Sequence, residues 1–187
     1  MTTGTTDPMG LAIQRYYLRQ ANAPIQVYSD AAEPEVIMPA YLFRSFEQMP
    51  RPEQLALQMA KGAVLDIGAG AGVHSLWLME QGYTVTALDQ ADGAYQVLQQ
   101  LPLHEAIQAD IFQWRPRQSF DTMLLLMNGI GLSGNLEGLQ ALLSRLYPML
   151  SRGGSLWLDS TDLRPLLGPA LTDPPTDEAG MYYGTIT

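Results

Sequence analysis

The chain has 187 residues, which is enough for one domain with a sizeable hydrophobic core and too few for two comfortable domains. Its 19 acidic and 10 basic residues give a formal net charge of −9, which argues against a nucleic-acid partner because a polyanion is bound by a basic surface. There is no cysteine, which excludes disulfides and thiolate metal sites and fits a reducing cytoplasm. No apolar run approaches the ~20 residues needed to cross a bilayer, so we expect a soluble cytoplasmic protein without membrane contact.

Residues 1–60 are expected to form a helical segment in front of the main domain. Pro8–Arg19 places apolar residues among polar ones in a pattern typical of an amphipathic helix, and it lacks the features of a secretory signal. Residues 23–39 contain two prolines that interrupt any helix, which favours a connecting segment. Tyr41–Gln48 and the stretch that begins at Pro52 predict two further helices.

A strand, a glycine-rich turn and a helix follow one another directly. Ala63–Ile67 is a short apolar run, which predicts a buried parallel strand. Gly68, Gly70 and Gly72 then permit positive φ angles and a close approach of the backbone to a ligand. Val73–Met79 resumes with apolar spacing that suits a helix. This arrangement is typical of a site for a nucleotide-like ligand.

The identity of the residues around this turn distinguishes two classes of cofactor. A dinucleotide-binding turn has glycines at its first, third and sixth positions, but the sixth position counted from Gly68 is Val73. Asp66 followed by the glycines resembles instead the first motif of the class I S-adenosylmethionine-dependent methyltransferases. The resemblance implies that Asp66 lies near the amino-acid part of the cofactor and that the turn passes beside it through Gly68, Ala69, Gly70 and Gly72. A turn that merely packs a helix on a strand is the alternative.

A second acidic residue ends the next predicted strand. Tyr83–Leu88 is strand-like, and Asp89 follows it roughly 20 residues after the glycines, where a ribose is held in proteins with this arrangement. A carboxylate can accept hydrogen bonds from both ribose hydroxyls. We therefore include Asp89 and the adjacent Gln90 in the expected cofactor site. A helix-capping or loop aspartate is the alternative reading of Asp89.

A third acidic residue follows the next weak strand. A helix capped by Asp92 and a strand over His104–Ala109 lead to Asp110 and Ile111. Within the methyltransferase resemblance, an Ala-Asp-Ile sequence here implies the adenine site. Asp110 would accept a hydrogen bond from the exocyclic amine, and Ile111 would pack on the ring.

The most apolar run of the chain, Phe120–Met127, predicts a central strand buried on both faces. The resemblance implies that a backbone carbonyl at its end, that of Met127, accepts a hydrogen bond from the cofactor's ammonium. Enzymes that methylate exocyclic amines of nucleic-acid bases show an Asn or Asp followed by two prolines and an aromatic residue. Asn128 is followed by Gly129 and Ile130 instead, which disfavours that acceptor. Asn128 can orient an acceptor or simply form a turn.

Two charged or titratable residues near the predicted site have two readings each. Arg44 precedes the first strand, and its guanidinium can bind the cofactor's carboxylate or lie solvated on the surface. His74 lies in the first turn after the glycines, where a helix-surface histidine is favoured over a ligand contact. Neither His74 nor His104 has the spacing of a metal ligand, and the sequence identifies no catalytic base.

The last part of the resemblance contains a helix, a double-glycine turn and a strand. Asn135 is expected to cap the helix, and Ser155–Asp159 is expected to be the fifth strand. The helix contains leucines at helical spacing, which predicts that they are core residues: Leu136, Leu139, Leu142, Leu143, Leu146 and Leu150. Residues 163–180 are loop-like, and Met181–Thr187 resembles the start of another strand. Because the family's sheet continues with two further strands, we expect a chain truncated at its C-terminus; a sheet edge completed by another molecule is the alternative.

These observations predict an α/β fold with a doubly wound, mainly parallel sheet, and with its C-terminal strands missing. Residues 61–187 would form the methyltransferase core behind the helical lid segment of residues 1–60. S-adenosyl-L-methionine is the expected cofactor, and methyl transfer to a small-molecule acceptor is the expected activity. A non-catalytic S-adenosylmethionine-binding or interaction protein is the alternative. A nicotinamide-dependent dehydrogenase is disfavoured by Asp66 and Val73.

Overall fold

The structure is a computed structural model that describes residues 7–28 and 34–160. The N-terminal part contains α1 (Pro8–Tyr17), β1 (Ile25–Val27), β2 (Glu35–Ile37) and α2 (Arg51–Gln58). The segment over residues 23–39, expected to be a connection, contains two antiparallel strands in which Ile25 pairs with Ile37. Both isoleucines pack against a small core cluster beneath α1, and this tertiary contact stabilises two strands that are too short to be stable alone.

The single helix expected over Tyr41–Gln48 is wrong. The chain forms two short 3₁₀ helices there, Pro39–Phe43 and Phe46–Gln48, separated by extended backbone at Arg44 and Ser45. The backbone N–H of Ser45 donates to the side chain of Gln48 at 2.9 Å. This local hydrogen bond replaces the one that a continuous helix would give that N–H, so the helix breaks at Ser45.

A five-stranded parallel sheet with helices on both faces forms the main body, as predicted. Its strands and the intervening helices are β3 (Ala63–Ile67), α3 (Val73–Glu80), β4 (Thr84–Asp89), α4 (Asp92–Leu98), β5 (Glu105–Gln108), β6 (Phe120–Leu125), α5 (Leu136–Leu146) and β7 (Leu150–Leu158). The strand order is β5-β4-β3-β6-β7. The chain therefore reverses direction across the sheet between β3 and β6, which is where doubly wound sheets bind ligands.

Two core clusters lie on opposite faces of this sheet. Val64 packs with residues of α2 and α3, whereas Leu65 packs with residues of α5. Neighbouring residues of β3 enter different clusters because successive side chains of a strand point to opposite faces. Both are fully buried, as expected for a central parallel strand.

Strand β7 differs from the prediction, because it begins at Leu150 and includes the glycines that were expected to form a turn. Its register against β6 shifts opposite Phe120 and Thr122. A Cβ atom on Gly154 would lie 3.1 Å from the carbonyl oxygen of Phe120. The glycine thus lets the two backbones approach where the pairing is irregular.

The helix caps and the burial of the α5 leucines agree only in part with the predictions. Asn135 caps α5 as predicted, accepting a hydrogen bond from the backbone N–H of Gly138 at 2.8 Å. Asp92 lies inside α4 and does not cap it. Only Leu142 and Leu146 of the α5 leucines are fully buried; Leu136 and Leu143 are exposed, so their assignment to the core is wrong. The positions face different sides because a helix turns by 100° per residue.

Within residues 7–28 and 34–160, no helix is long and apolar enough to cross a membrane. The loop expected over residues 163–180 and the strand expected over Met181–Thr187 lie outside the described residues.

Candidate cofactor site

A cavity of about 1090 Å³ lies at the carboxyl ends of the central strands. Its walls are formed by α1, by the glycine turn after β3 and by the segments that follow β4, β5 and β6. A cavity of this size accommodates a ligand as large as a nucleoside with a substituent. Eight of the eleven residues predicted to bind the cofactor line it: Gly68, Ala69, Gly70, Asp89, Gln90, Asp110, Ile111 and Met127.

The glycine turn is held in place by β4. The backbone N–H groups of Gly68 and Ala69 both donate to the carbonyl oxygen of Leu88, at 2.8 and 3.0 Å. Gly68 and Gly70 have φ angles of +72° and +55°, which glycine adopts without strain. A Cβ atom on either would have no protein atom nearer than 3.7 Å. The turn therefore leaves open space for a ligand directly against its backbone.

Gly72 has another role and does not line the cavity. Its φ angle is +77°, and a Cβ atom there would lie 2.8 Å from the side chain of Leu98 in α4. The residue is needed because α3 begins in close contact with α4. Of the three glycines, Gly72 is thus the one that allows α3 and α4 to pack closely.

Asp89 connects the glycine turn to the start of α4. One carboxylate oxygen accepts a hydrogen bond from Gly70 N and the other from Ala91 N, both at 2.8 Å. A carboxylate has about four lone-pair positions, so two remain for hydroxyl donors in the cavity. Burial raises the pKa of Asp89, and the negative charges of Asp7 and Asp66 add to this, while the two backbone hydrogen bonds oppose it.

Asp110 and Ile111 lie side by side in different environments. Asp110 is half-buried; its two oxygens accept hydrogen bonds from the backbone N–H of Phe112 at 2.9 Å and the side-chain amide of Gln113 at 3.1 Å. Ile111 is buried and belongs to the core cluster on the α5 face. Its side chain is therefore immobilised by packing where it also borders the cavity.

The segment after β6 has an unusual backbone. Met127 and Asn128 both have left-handed φ angles, +60° and +61°, which cost free energy for residues other than glycine. The carboxylate of Asp159 accepts hydrogen bonds from Met127 N at 3.0 Å and Gly129 N at 3.1 Å. Asp159 therefore stabilises this conformation and places Met127 at the cavity.

Asp66 lies behind the cavity wall. It is fully buried, does not line the cavity and accepts a hydrogen bond from Ser75 Oγ at 2.7 Å. Burial raises its pKa; the positive charge that His74 carries when protonated and the hydrogen bonds from Ser75 oppose this rise. Asp66, which the sequence predicted near the ligand, is thus not at the surface of the cavity.

Arg44 and His74 are both buried, which corrects the interpretation of either as a surface residue. His74 lines the cavity, and its Nε2 lies 2.8 Å from Oε2 of Glu53. The same oxygen accepts a hydrogen bond from the guanidinium of Arg44, which also lies over the ring of Tyr41 at 4.5 Å. Arg44 does not line the cavity.

Glu53 is ionised within this cluster. Burial acts to raise its pKa, but the hydrogen bonds and charges of His74 and Arg44 outweigh burial and lower it. No local pattern in the sequence indicates the cluster, because its three side chains come from separate segments of the chain. A buried polar side chain needs partners, and those partners are here distant along the chain.

Helix α1 also contributes residues that the sequence did not identify, including Asp7, Met9, Gly10 and Gln14. Asp7 caps the helix by accepting hydrogen bonds from Met9 N and Gly10 N, each at 3.1 Å. The Asp-Pro pair is a recognisable helix start, but it does not reveal which surface the helix covers. Among the described residues, no group of three histidines and acids is arranged to hold a metal ion.

Comparison with known proteins identifies relatives of the chain. A profile of the methyltransferase-domain family matches residues 64–154. The crystal structure of an S-adenosylmethionine-dependent methyltransferase from Bacteroides fragilis, in complex with S-adenosyl-L-homocysteine, is 37% identical. It aligns with 100% of this chain and 75% of its own, with a TM-score of 0.83.

Two further relatives are more distant. The cypemycin N-terminal methyltransferase of a Streptomyces species is 33% identical over 102 residues, and the match covers 53% of this chain but only 42% of that protein. The sugar N-methyltransferase KedS8 from a Streptoalloteichus species is 19% identical, with a TM-score of 0.57 over 83% of this chain and 63% of its own, and this likeness shows the fold alone. The full-length similarity to the Bacteroides protein, together with the matching domain profile and the parallel sheet, shows that the chain belongs to the class I S-adenosylmethionine-dependent methyltransferases.

Proposed function

We propose that the protein binds S-adenosylmethionine in the cavity and transfers its methyl group to a small-molecule acceptor. The observation that carries the proposal is the placement of the glycine turn, Asp89 and Asp110 at the carboxyl ends of three adjacent strands, around one cavity. The related Bacteroides protein contains S-adenosyl-L-homocysteine, the demethylated form of this cofactor. The cavity's open space at Gly68 and Gly70 suits a ligand of this kind.

The order of the strands gives the direction of the cofactor. Asp110 and Ile111 follow β5 and would hold the adenine. Asp89, the last residue of β4, would hold the ribose beside Gln90. Because β3 and β6 come next in the sheet, the amino-acid part would extend past the glycine turn towards Met127. Direct contacts of Asp66, Gly72 and Arg44 with the cofactor stay predictions. None of the three lines the cavity, which supports an indirect role for each of them.

We also propose that residues 1–60 cover the cofactor and that residues 61–187 form the methyltransferase core. Helix α1 lines the cavity and packs on α4, and Leu42 of the following segment also borders the cavity. A cover of this kind excludes water from the reacting groups.

The cofactor supplies an electrophilic methyl group, so the protein needs mainly to position an acceptor in line with it. A separation of about 3 Å between the reacting atoms brings them into a reactive arrangement. Ile13, Leu42, Leu126 and Leu132 give the cavity apolar walls that exclude water. A base is needed only when the acceptor must lose a proton.

The charge of the cavity supports the choice of ligand. Among the described residues that line it there is no lysine or arginine, whereas Asp7, Asp89, Asp92 and Asp110 are acidic. This favours a cationic sulfonium and disfavours phosphate-rich acceptors such as nucleic acids. The cytoplasmic location expected from the sequence stays a prediction.

Isothermal calorimetry of the full chain with S-adenosylmethionine, S-adenosylhomocysteine and NADH tests cofactor binding. We expect the first two to bind with micromolar dissociation constants and NADH not to bind; absence of binding by the first two would contradict the proposal. A panel of small amines, alcohols and thiols with labelled cofactor then tests transfer. Cofactor binding without transfer to any of them would favour the non-catalytic alternative.

A further inference from the structure

The cluster of His74, Glu53 and Arg44 has no part in the cofactor contacts proposed so far. The three residues come from separate segments of the chain, and all three side chains are at least nine-tenths buried. Only His74 reaches the cavity. Burying three polar side chains is costly unless they are well paired, so their presence beside a binding cavity calls for a role.

The hydrogen bonds of the cluster define which nitrogen of His74 is available. Glu53 is ionised and can only accept hydrogen bonds, so the Nε2 of His74, 2.8 Å from it, carries the proton. In the neutral form of this imidazole, Nδ1 is unprotonated and accepts hydrogen bonds. Arg44 donates a hydrogen bond to the same carboxylate oxygen of Glu53 and thereby helps to fix the orientation of the ring.

The position of His74 along the sheet indicates which part of the ligand it meets. It lies in the first turn of α3, directly after the glycine turn that follows β3. With adenine and ribose beside β5 and β4, the amino-acid part of the cofactor occupies this end. Asp66, the acid expected at the ammonium, is fully buried and does not line the cavity, whereas His74 does.

We propose that His74, oriented by Glu53 and Arg44, accepts a hydrogen bond from the ammonium group of the cofactor through Nδ1 and so determines selectivity for ligands with an intact amino-acid end. The inference rests on the proposed function. In it, Glu53 and Arg44 are positioning residues that act through His74, and the buried negative charge of Asp66 supports the ammonium from behind the turn.

The first test is NMR of the ¹⁵N-labelled full chain, which contains only two histidines. His104 is the internal control, because it is exposed, lies outside the cavity and accepts a hydrogen bond from Val85 N. We expect His74 to show the Nε2–H tautomer and its Nδ1 signal to shift on addition of S-adenosylhomocysteine. 5′-Methylthioadenosine, which lacks the amino-acid part, should produce a much smaller shift.

The second test compares the affinities of the same two ligands by calorimetry. His74→Ala should weaken S-adenosylhomocysteine binding roughly 10- to 100-fold, because a hydrogen bond to a charged group is lost. It should change 5′-methylthioadenosine binding less than about 3-fold. Glu53→Gln should have a similar selective effect, since its amide can donate to Nε2 and reverse the tautomer, whereas His104→Ala should leave both affinities unchanged.

Equal weakening of both ligands by His74→Ala, or an Nδ1 signal that does not respond to S-adenosylhomocysteine, would overturn the inference. Where a variant does not fold, the spectra of the wild-type protein decide the matter without it. Failure of the wild-type protein to bind either ligand would overturn the proposed function itself, whereas binding without the His74 signature would overturn only this inference.

Discussion

Gly93 of α4 lies against the backbone carbonyl of Gly10 in α1, so closely that a Cβ atom on Gly93 would overlap the carbonyl oxygen. A Cβ atom on Gly10 would in turn lie 3.1 Å from the Cβ of Ala91. Because these positions carry no bulky side chains, the two helices pack backbone to backbone. This contact holds α1, with Asp7 at its start, at the cavity.

Gly93→Ala should therefore displace α1. In an ordinary helix interior the change would stabilise the protein by about 0.5–1 kcal/mol. Here we expect a loss of about 1–3 kcal/mol in the free energy of unfolding, because the contact is with rigid backbone. Urea unfolding and calorimetry with S-adenosylhomocysteine measure both effects. A variant that is more stable and binds like the wild type would show that α1 is not needed for the site.

Asp89→Asn should weaken S-adenosylhomocysteine binding by about 1–3 kcal/mol. The amide must turn its NH₂ group towards either Gly70 N or Ala91 N, which places a donor against a donor. The turn then loses its support and the ribose loses an acceptor. Calorimetry gives the affinity and circular dichroism verifies folding. Wild-type affinity in a folded variant would refute the role of Asp89.

Asp159→Ala should release the left-handed backbone at Met127 and Asn128. We expect a loss of about 1–3 kcal/mol in stability together with weaker S-adenosylhomocysteine binding, because two backbone N–H groups lose their acceptor. Asp121→Ala is the matched control. Its carboxylate accepts a hydrogen bond from Ala63 N at 2.9 Å, at the opposite end of β3 from the cavity.

Both variants should lose stability in urea unfolding, but only Asp159→Ala should lose affinity in calorimetry. Equal affinities in the two variants would mean that the backbone conformation after β6 does not matter for the cofactor.

Asp66→Asn should change how stability depends on pH. Burial raises the pKa of Asp66 above its ordinary value of 3.8, so the folded state binds the proton more tightly than the unfolded chain does. The stability that this group contributes is present below that value and is lost as the pH rises through its raised pKa. Relative to the wild type, Asp66→Asn should become progressively more stable as the pH rises above the ordinary carboxyl pKa of 3.8. Urea unfolding at several pH values measures the difference, and a constant difference would contradict the prediction.

Glu53→Gln should show the opposite slope in the same experiment. The pKa of Glu53 is lowered from its ordinary value of 4.5, so its contribution to stability is present above that value and is lost as the pH falls through the lowered pKa. The variant should therefore be least stable relative to the wild type near neutral pH. If the stability difference from the wild type changed with pH in the same direction for Asp66→Asn and Glu53→Gln, the opposite pKa shifts of the two acids would be contradicted.

The sequence by itself determined the sheet and the order in which the residues predicted to bind the cofactor follow one another. The glycine turn, Asp89 and Asp110 each lie at or just beyond the end of a strand, and the carboxyl ends of parallel strands meet at one edge of the sheet. Their proximity thus follows from local patterns and from the parallel topology. Ile111 and Met127 were found in the same way, because each lies at or just beyond the end of a strand.

Only the tertiary structure decided which polar side chains are buried together. Glu53 meets His74 across 21 positions of the chain, and Asp159 reaches Met127 across 32. The packing of α1 on α4 likewise depends on two glycines that are far apart in sequence. Burial makes such contacts obligatory for polar groups, but the partner is selected by how helices and strands pack, which periodicity along the chain does not encode. For this reason the sequence favoured a surface position for His74 and left Arg44 between a cofactor contact and a surface position, whereas Asp89, Asp110 and Met127 line the cavity as expected from their places near strand ends.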